Sequence, residues 1–192
     1  GFQMAFNSKD PTIFYAEYQN GALQQYYHGN WRSFTRGLNG SKNWDFPYMV
    51  SRFNSQKLLA GSNQVYVNNI DTIAAWTAIS PNLVTPPRYA SRSNPSITTL
   101  DQSPIDSNVI IAGTVNGNVW MTKQFDKSWT NISANLPAAY ITSVKTSYQN
   151  SNTFYVSLSG HRGNDFKPYL FRSTNSGNSW TSIQSDLPEL PI

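Results

Sequence analysis

Three carboxylates and three arginines are the side chains from which this chain could build a reactive site. Ten acidic residues are present, and most are placed where the backbone turns. Asp10, Asp71, Asp101, Asp106, Asp126 and Asp186 fall in turns or near strand ends, and Glu189 lies among the last residues. Glu17, Asp45 and Asp165 remain as candidates for acid–base work. Cleavage of a glycosidic bond asks for two such groups about 5–10 Å apart across the scissile bond. No flanking pattern marks any of the three as catalytic, and no serine sits in a nucleophile-elbow motif. No catalytic residue is therefore assigned. Arg88, Arg92 and Arg162 offer a different chemistry, guanidinium groups that grip an acidic group or stack on a ring. Tyr89, His161 and Trp44 add aromatic bodies with polar tips. Together they suit a surface that binds carbohydrate or peptide.

Composition removes other classes. The chain has no cysteine, which excludes disulfides and thiolate metal sites. His28 and His161 are far apart and show no metal-ligand spacing, so neither a metal nor a cofactor is expected. No glycine-rich phosphate loop leads into a helix. The net charge is only +4, and the basic residues are scattered rather than grouped in a phosphate-gripping run, so nucleic acid is not an expected partner. No apolar stretch is long enough to span a membrane as a helix, and no signal peptide is seen.

The scaffold that must position these groups is written in a repeat. Trp31, Trp76, Trp129 and Trp180 stand 45, 53 and 51 residues apart. Each is followed three positions on by Phe34, Ile79, Ile132 or Ile183, and seven positions on by Leu38, Leu83, Leu136 or Leu187. Short runs rich in Val, Ile, Thr, Tyr and Phe precede each tryptophan, punctuated by Asn-Gly, Ser-Asn or Asp-Pro. Each unit reads as four short strands. No segment keeps a 3.6-residue apolar period, so helix should be scarce. Four-stranded units repeating near fifty residues predict an all-β fold: a β-propeller arc of four four-stranded antiparallel blades. The blades are expected over about 1–40, 44–85, 96–138 and 139–188 of one domain, 1–192, as part of a larger ring. The recurring tryptophans are expected in the layers between blades, where each buries a large ring. Further blades, of the same chain or of a partner chain, should cover the outer faces.

The segment Ser173-Thr174-Asn175-Ser176-Gly177-Asn178-Ser179-Trp180 resembles the Asp-box, Ser/Thr-x-Asp-x-Gly-x-x-Trp, of BNR-repeat propellers, with Asn175 at the aspartate place. An Asn side chain bonds backbone N–H groups two residues on, and glycine supplies a positive φ, so a hairpin turn is expected. The stretches ending at Trp129, Trp76 and Trp31 are degenerate copies. The resemblance implies a sialidase-, xyloglucanase- or sortilin-like propeller, from a secreted or cell-surface bacterial protein. It carries over no catalytic residue.

The copies differ most in three loops, residues 39–47, 84–96 and 159–168. Strands in a blade alternate in direction, so blade-to-blade connections and the loops between second and third strands emerge on one face. All three long loops are of these kinds. They hold Lys42, Asp45, Arg88, Arg92, Arg162, Asp165 and Lys167, with Trp44, Phe46, Tyr89 and Phe166 beside them. The expected function is a non-catalytic binding or scaffold segment whose ligand is a carbohydrate or a protein. The alternative is part of a glycoside hydrolase whose catalytic groups lie partly outside the segment.

Overall fold

The computed structural model describes residues 3–69, 75–88 and 94–191. Sixteen strands among them form four antiparallel sheets, each meandering in sequence order. The first sheet holds β1 (Met4–Phe6), β2 (Ile13–Tyr18), β3 (Ala22–Tyr27) and β4 (Asn30–Ser33). The second holds β5 (Tyr48–Val50), β6 (Lys57–Gly61), β7 (Val65–Asn69) and β8 (Thr77–Ala78). The third holds β9 (Ile97–Gln102), β10 (Ile110–Thr114), β11 (Val119–Thr122) and β12 (Thr130–Asn131). The fourth holds β13 (Tyr140–Thr146), β14 (Phe154–Ser159), β15 (Tyr169–Ser173) and β16 (Thr181–Ser182). Helix among the described residues amounts to two short 3-10 turns, Gln19–Gly21 and His161–Gly163.

Alternation of side chains along each strand decides how the sheets stack. In β2, Ile13 and Tyr15 face one way and Phe14, Ala16 and Tyr18 the other. Ile13, Tyr15, Leu23, Phe34 and Leu38 of the first blade pack on Tyr48, Leu58, Ala60, Tyr66 and Trp76 of the second. Equivalent layers join the second blade to the third and the third to the fourth. The core is thus three slabs between blades rather than one central mass. The first and fourth blades each keep one face outside these slabs, so the four form an open propeller arc.

Two polar devices recur with the period of the sequence. The strand 1–2 turn is closed four times in one way. Asp10, Asn54, Asp106 and Asn150 each accept, through Oδ1, the N–H two residues on, at 2.9–3.0 Å. This is the Asx turn, which spares the backbone an unpaired donor. Second, the indole Nε1 of Trp76, Trp129 and Trp180 donates to the carbonyl of Phe34, Ile79 and Ile132, each at 2.8 Å. Each acceptor lies three residues after the tryptophan of the preceding blade. The expected inter-blade place of the tryptophans holds for these three. Trp31 differs: it is 54% exposed on the outer face of the first blade.

The Asp-box-like turn forms its own hydrogen-bonded knot. Asn175 Oδ1 accepts the N–H of Ser179 at 3.0 Å, and Ser173 Oγ accepts the N–H of Gly177 at 2.8 Å. The asparagine reaches four residues on rather than the two expected, because Ser176 and Gly177 both turn into the left-handed region. Gly177 has a second reason to lack a side chain: a Cβ there would lie 2.5 Å from Cβ of Ile132.

Candidate functional site

The long loops come to one face, as strand direction requires. Loop 39–47 is fixed from below. Asn20 N–H donates to the Trp44 carbonyl at 3.1 Å, and Phe46 N–H donates to Glu17 Oε1 at 3.0 Å. Phe46 fills the core, while Trp44 stays 57% exposed and Asp45 is also exposed. Glu17 itself is 2% exposed, because it lies on the core-facing side of β2 with Ile13 and Tyr15. Burial pushes its pKa up to about 8, against the Phe46 N–H bond and with help from the charge and hydrogen bond of Asp45. At neutral pH Glu17 is mostly a neutral acid, and its second oxygen, Oε2, is buried without a hydrogen-bond partner among the described residues. Two of the three candidate acids are therefore brought together, one of them out of reach of a substrate.

The third acid is used elsewhere. Asp165 accepts the Tyr169 hydroxyl at 2.6 Å and the N–H of Lys167 at 3.2 Å, and these bonds hold its pKa below the usual carboxylate range. It braces loop 159–168, which opens with the 3-10 turn at His161–Gly163 and turns again at left-handed Asn164. His161, Arg162 and Phe166 stand exposed on this loop.

The first and third loops meet at Tyr140, the first residue of β13. Its hydroxyl accepts Nδ2 of Asn43 at 3.2 Å, and the Arg162 guanidinium lies 5.1 Å from the centre of its ring. Arg88, in the second loop, lies over the third blade. Its two terminal nitrogens donate to the carbonyls of Gly117 and Leu136 at 2.9 and 2.8 Å. Its backbone N–H bonds Asn116, whose side chain in turn holds the Val84 carbonyl. Arg88 thus ties its own loop to the turn below it. Tyr89 and Arg92 lie outside the described residues.

Beneath the loops an axial cavity of about 270 Å³ runs between the innermost strands. Gln3, Asp45 and Tyr48 line one part, and Arg52, Asp101 and Lys145 another. Burial together with Glu17 and Asp45 raises the Tyr48 pKa, so its hydroxyl stays protonated; it donates to the Gln3 carbonyl. Asp101 corrects its expected role as a turn former. It is buried, accepts Arg52 of the second blade at 2.8 Å, and accepts both the N–H and the hydroxyl of Thr146 of the fourth at 2.8 and 2.7 Å. One side chain ties three blades. The sequence placed Asp101 in the first strand of the third copy, at the position that Ala5, Met49 and Lys145 occupy in the others, but nothing in it marked the bonds to Arg52 and Thr146. Nothing in it marked Tyr140 or Asn43 either.

No protein-family model matches the chain, and no curated protein matches it by sequence. Solved structures do match its fold. An ancestral GH74 enzyme superposes with a TM-score of 0.66 at 16% identity, covering 94% of this chain and 23% of that one. The GH74 enzyme of Niastella koreensis gives 0.67 at 14% identity, covering 94% and 29%. The GH74 xyloglucanase of Xanthomonas campestris gives 0.65 at 14% identity, covering 96% and 30%. The chain spans between about a quarter and a third of the length of these enzymes. What it shares with them is the β-propeller fold.

Proposed function

We propose that this chain is a binding and scaffold segment of a secreted or cell-surface β-propeller protein of the BNR/Asp-box kind, and that it holds a carbohydrate on its long-loop face without cleaving it. The observation that carries this reading is the fate of the carboxylates. Glu17 is sealed in the core, Asp101 ties blades together and Asp165 braces a loop, which leaves Asp45 as the one exposed member of the candidate acids. Hydrolysis by acid and base needs a second carboxyl group at the sugar. Binding needs an aromatic platform with polar neighbours, and the exposed Trp44, next in the chain to the Asn43 that bonds Tyr140, is the candidate, with Arg162 over the Tyr140 ring. Further blades, of the same chain or a partner chain, cover the two outer faces.

A second reading draws on the neighbours. Glu17, whose pKa burial raises to about 8, stands close to the exposed Asp45, and a protonated acid beside a second carboxyl group is a pairing that a glycosidase uses. In that case the segment belongs to a glycoside hydrolase, xyloglucan-directed like one of the similar enzymes, with other catalytic groups outside it.

Affinity electrophoresis through gels containing xyloglucan, other β-glucans or sialylated glycans separates these readings from none at all. Retardation by one polysaccharide is expected, weakened at least about tenfold by Trp44→Ala and less by Arg162→Ala. If the retardation of a ligand gel is unchanged in both variants, the loop face is not the site.

A further inference from the structure

The face opposite the long loops carries the turns between first and second and between third and fourth strands. Where the third blade meets the fourth, this surface is bridged by hydrogen bonds. Ser176 Oγ donates to Asn152 Oδ1 at 3.0 Å, and Lys123 Nζ donates to the same oxygen at 2.6 Å. Where the second blade meets the third, the surface is an open groove of about 360 Å³.

One residue of the repeat differs at this place. Phe125 stands four residues before Trp129, as Ser176 stands four before Trp180. Their backbones match. Both are left-handed, with φ of 57° and 59°. Each N–H donates to a carbonyl in the first turn of its own blade, that of Asn108 at 3.0 Å and that of Asn152 at 2.8 Å. A left-handed backbone is uncommon for a bulky residue. The turn itself thus gives no reason for a phenyl ring, and serine serves it in the fourth blade. The Phe125 ring packs partly on the layer between the second and third blades and lines the groove.

The chemistry of the groove selects a ligand. Phe53, 49% exposed, and the half-buried Phe125 supply its rings. The exposed side-chain amides of Asn54 and Asn108 line it too, with Lys57, whose Nζ lies 5.7 Å from the centre of the Phe125 ring. No carboxylate among the described residues lines it. Backbone donors in these turns are already spent. Asn54 Oδ1 takes the N–H of Gln56, Asp106 Oδ1 takes that of Asn108, and the Phe125 N–H goes to the Asn108 carbonyl. An extended peptide asks for an open strand edge, which these turns do not offer. A pyranose ring asks for aromatic faces under its C–H groups and for amides at its hydroxyls.

We propose that the groove between the second and third blades is a second glycan-binding site. It takes an uncharged pyranoside on Phe53 and Phe125, with Asn54, Asn108 and Lys57 at the hydroxyls. It lies on the face opposite Trp44 and stands or falls independently of the long-loop face.

Amide shifts of the nitrogen-15-labelled chain, titrated with cellotetraose and separately with chitotetraose, test the site. At least one sugar should move the amides of 53–57, 107–109 and 124–126. Phe53→Ala should weaken that response at least about tenfold while its circular dichroism stays native. Phe125→Ser, which copies the fourth blade, should weaken it as well, and Trp44→Ala should leave it unchanged. Shifts confined to 43–45, 140 and 162 would support the long-loop face and overturn the second site. No shift at the turns with either sugar, or a shift that persists in Phe53→Ala, overturns it too. So does movement of these amides by capped trialanine when neither sugar moves them.

Discussion

Glu17 shows how a single side chain sets a property of the whole fold. A carboxyl group whose pKa stands at about 8 in the folded state, against an ordinary value of 4.5, binds a proton that the unfolded chain has already released. Between those two values the native state holds more protons than the unfolded state, so stability falls as pH rises. The contribution is complete below about pH 4.5 and is lost as pH climbs through about 8. Glu17→Gln keeps an oxygen for the Phe46 N–H and removes the group that ionises. Denaturant melts at several pH values should find the variant close to wild type near pH 4 and clearly more stable at pH 8. A wild-type pH slope that survives in Glu17→Gln would show that another group carries it. Asn175 makes a smaller case. Asn175→Ala loses the bond to Ser179 N–H and should cost about 1 kcal/mol, and Asn175→Asp should be neutral or slightly stabilising. Glu17 was legible only in part. Its type and place in the sequence suggested a loop-facing acid, but the period of two along β2 puts it with Ile13 and Tyr15 on the buried side. What that period could not convey is the neighbour, because Asp45 reaches it from a loop whose path is set by tertiary contacts.

At the scale of the strand and the blade, the repeat was readable because each copy states the same solution. The tryptophan spacing and the turn residues fixed strands, sheets and inter-blade layers. The exceptions are contacts made by one copy alone, and those leave no periodic trace. The tryptophans differ in exposure: Trp76 is buried, Trp129 and Trp180 are half-buried and Trp31 is exposed. Trp76, 4% exposed, should cost about 3–5 kcal/mol when replaced by alanine, Trp180 less, and Trp31 least in the monomer. Urea midpoints of the three variants test that order, and a Trp31→Ala loss as large as that of Trp76→Ala would break it. Asp101 acts between blades. Asp101→Ala leaves the Thr146 donors and the Arg52 guanidinium without their acceptor, a loss of about 3 kcal/mol for a mostly buried pair. Hydrogen exchange should show the loosening in β5, β9 and β13 together. Protection lost in β9 alone would mean that Asp101 does not couple the blades.

For the whole molecule, the arc separates two kinds of surface. Its outer blade faces carry the repeat's own packing chemistry and are made for other blades. Its long-loop face carries what the repeat does not specify, with Asn43, Tyr140 and Arg162 gathered by loops from the first and fourth blades and Trp44 exposed next to Asn43 in the chain. Strand direction alone foretold which face the loops would share. It did not foretell that Arg88 would spend its guanidinium on two backbone carbonyls, since a long loop needs an internal tie and any nearby donor serves. On the proposed function, this face binds a glycan and does not cut it. The most direct test incubates the protein with the polysaccharide that retards it and follows new reducing ends. Retention with no release above a blank is expected, and loss of retention in Trp44→Ala. Turnover by the wild-type chain that Asp45→Asn abolishes would contradict it and make the Glu17–Asp45 pair part of a catalytic centre.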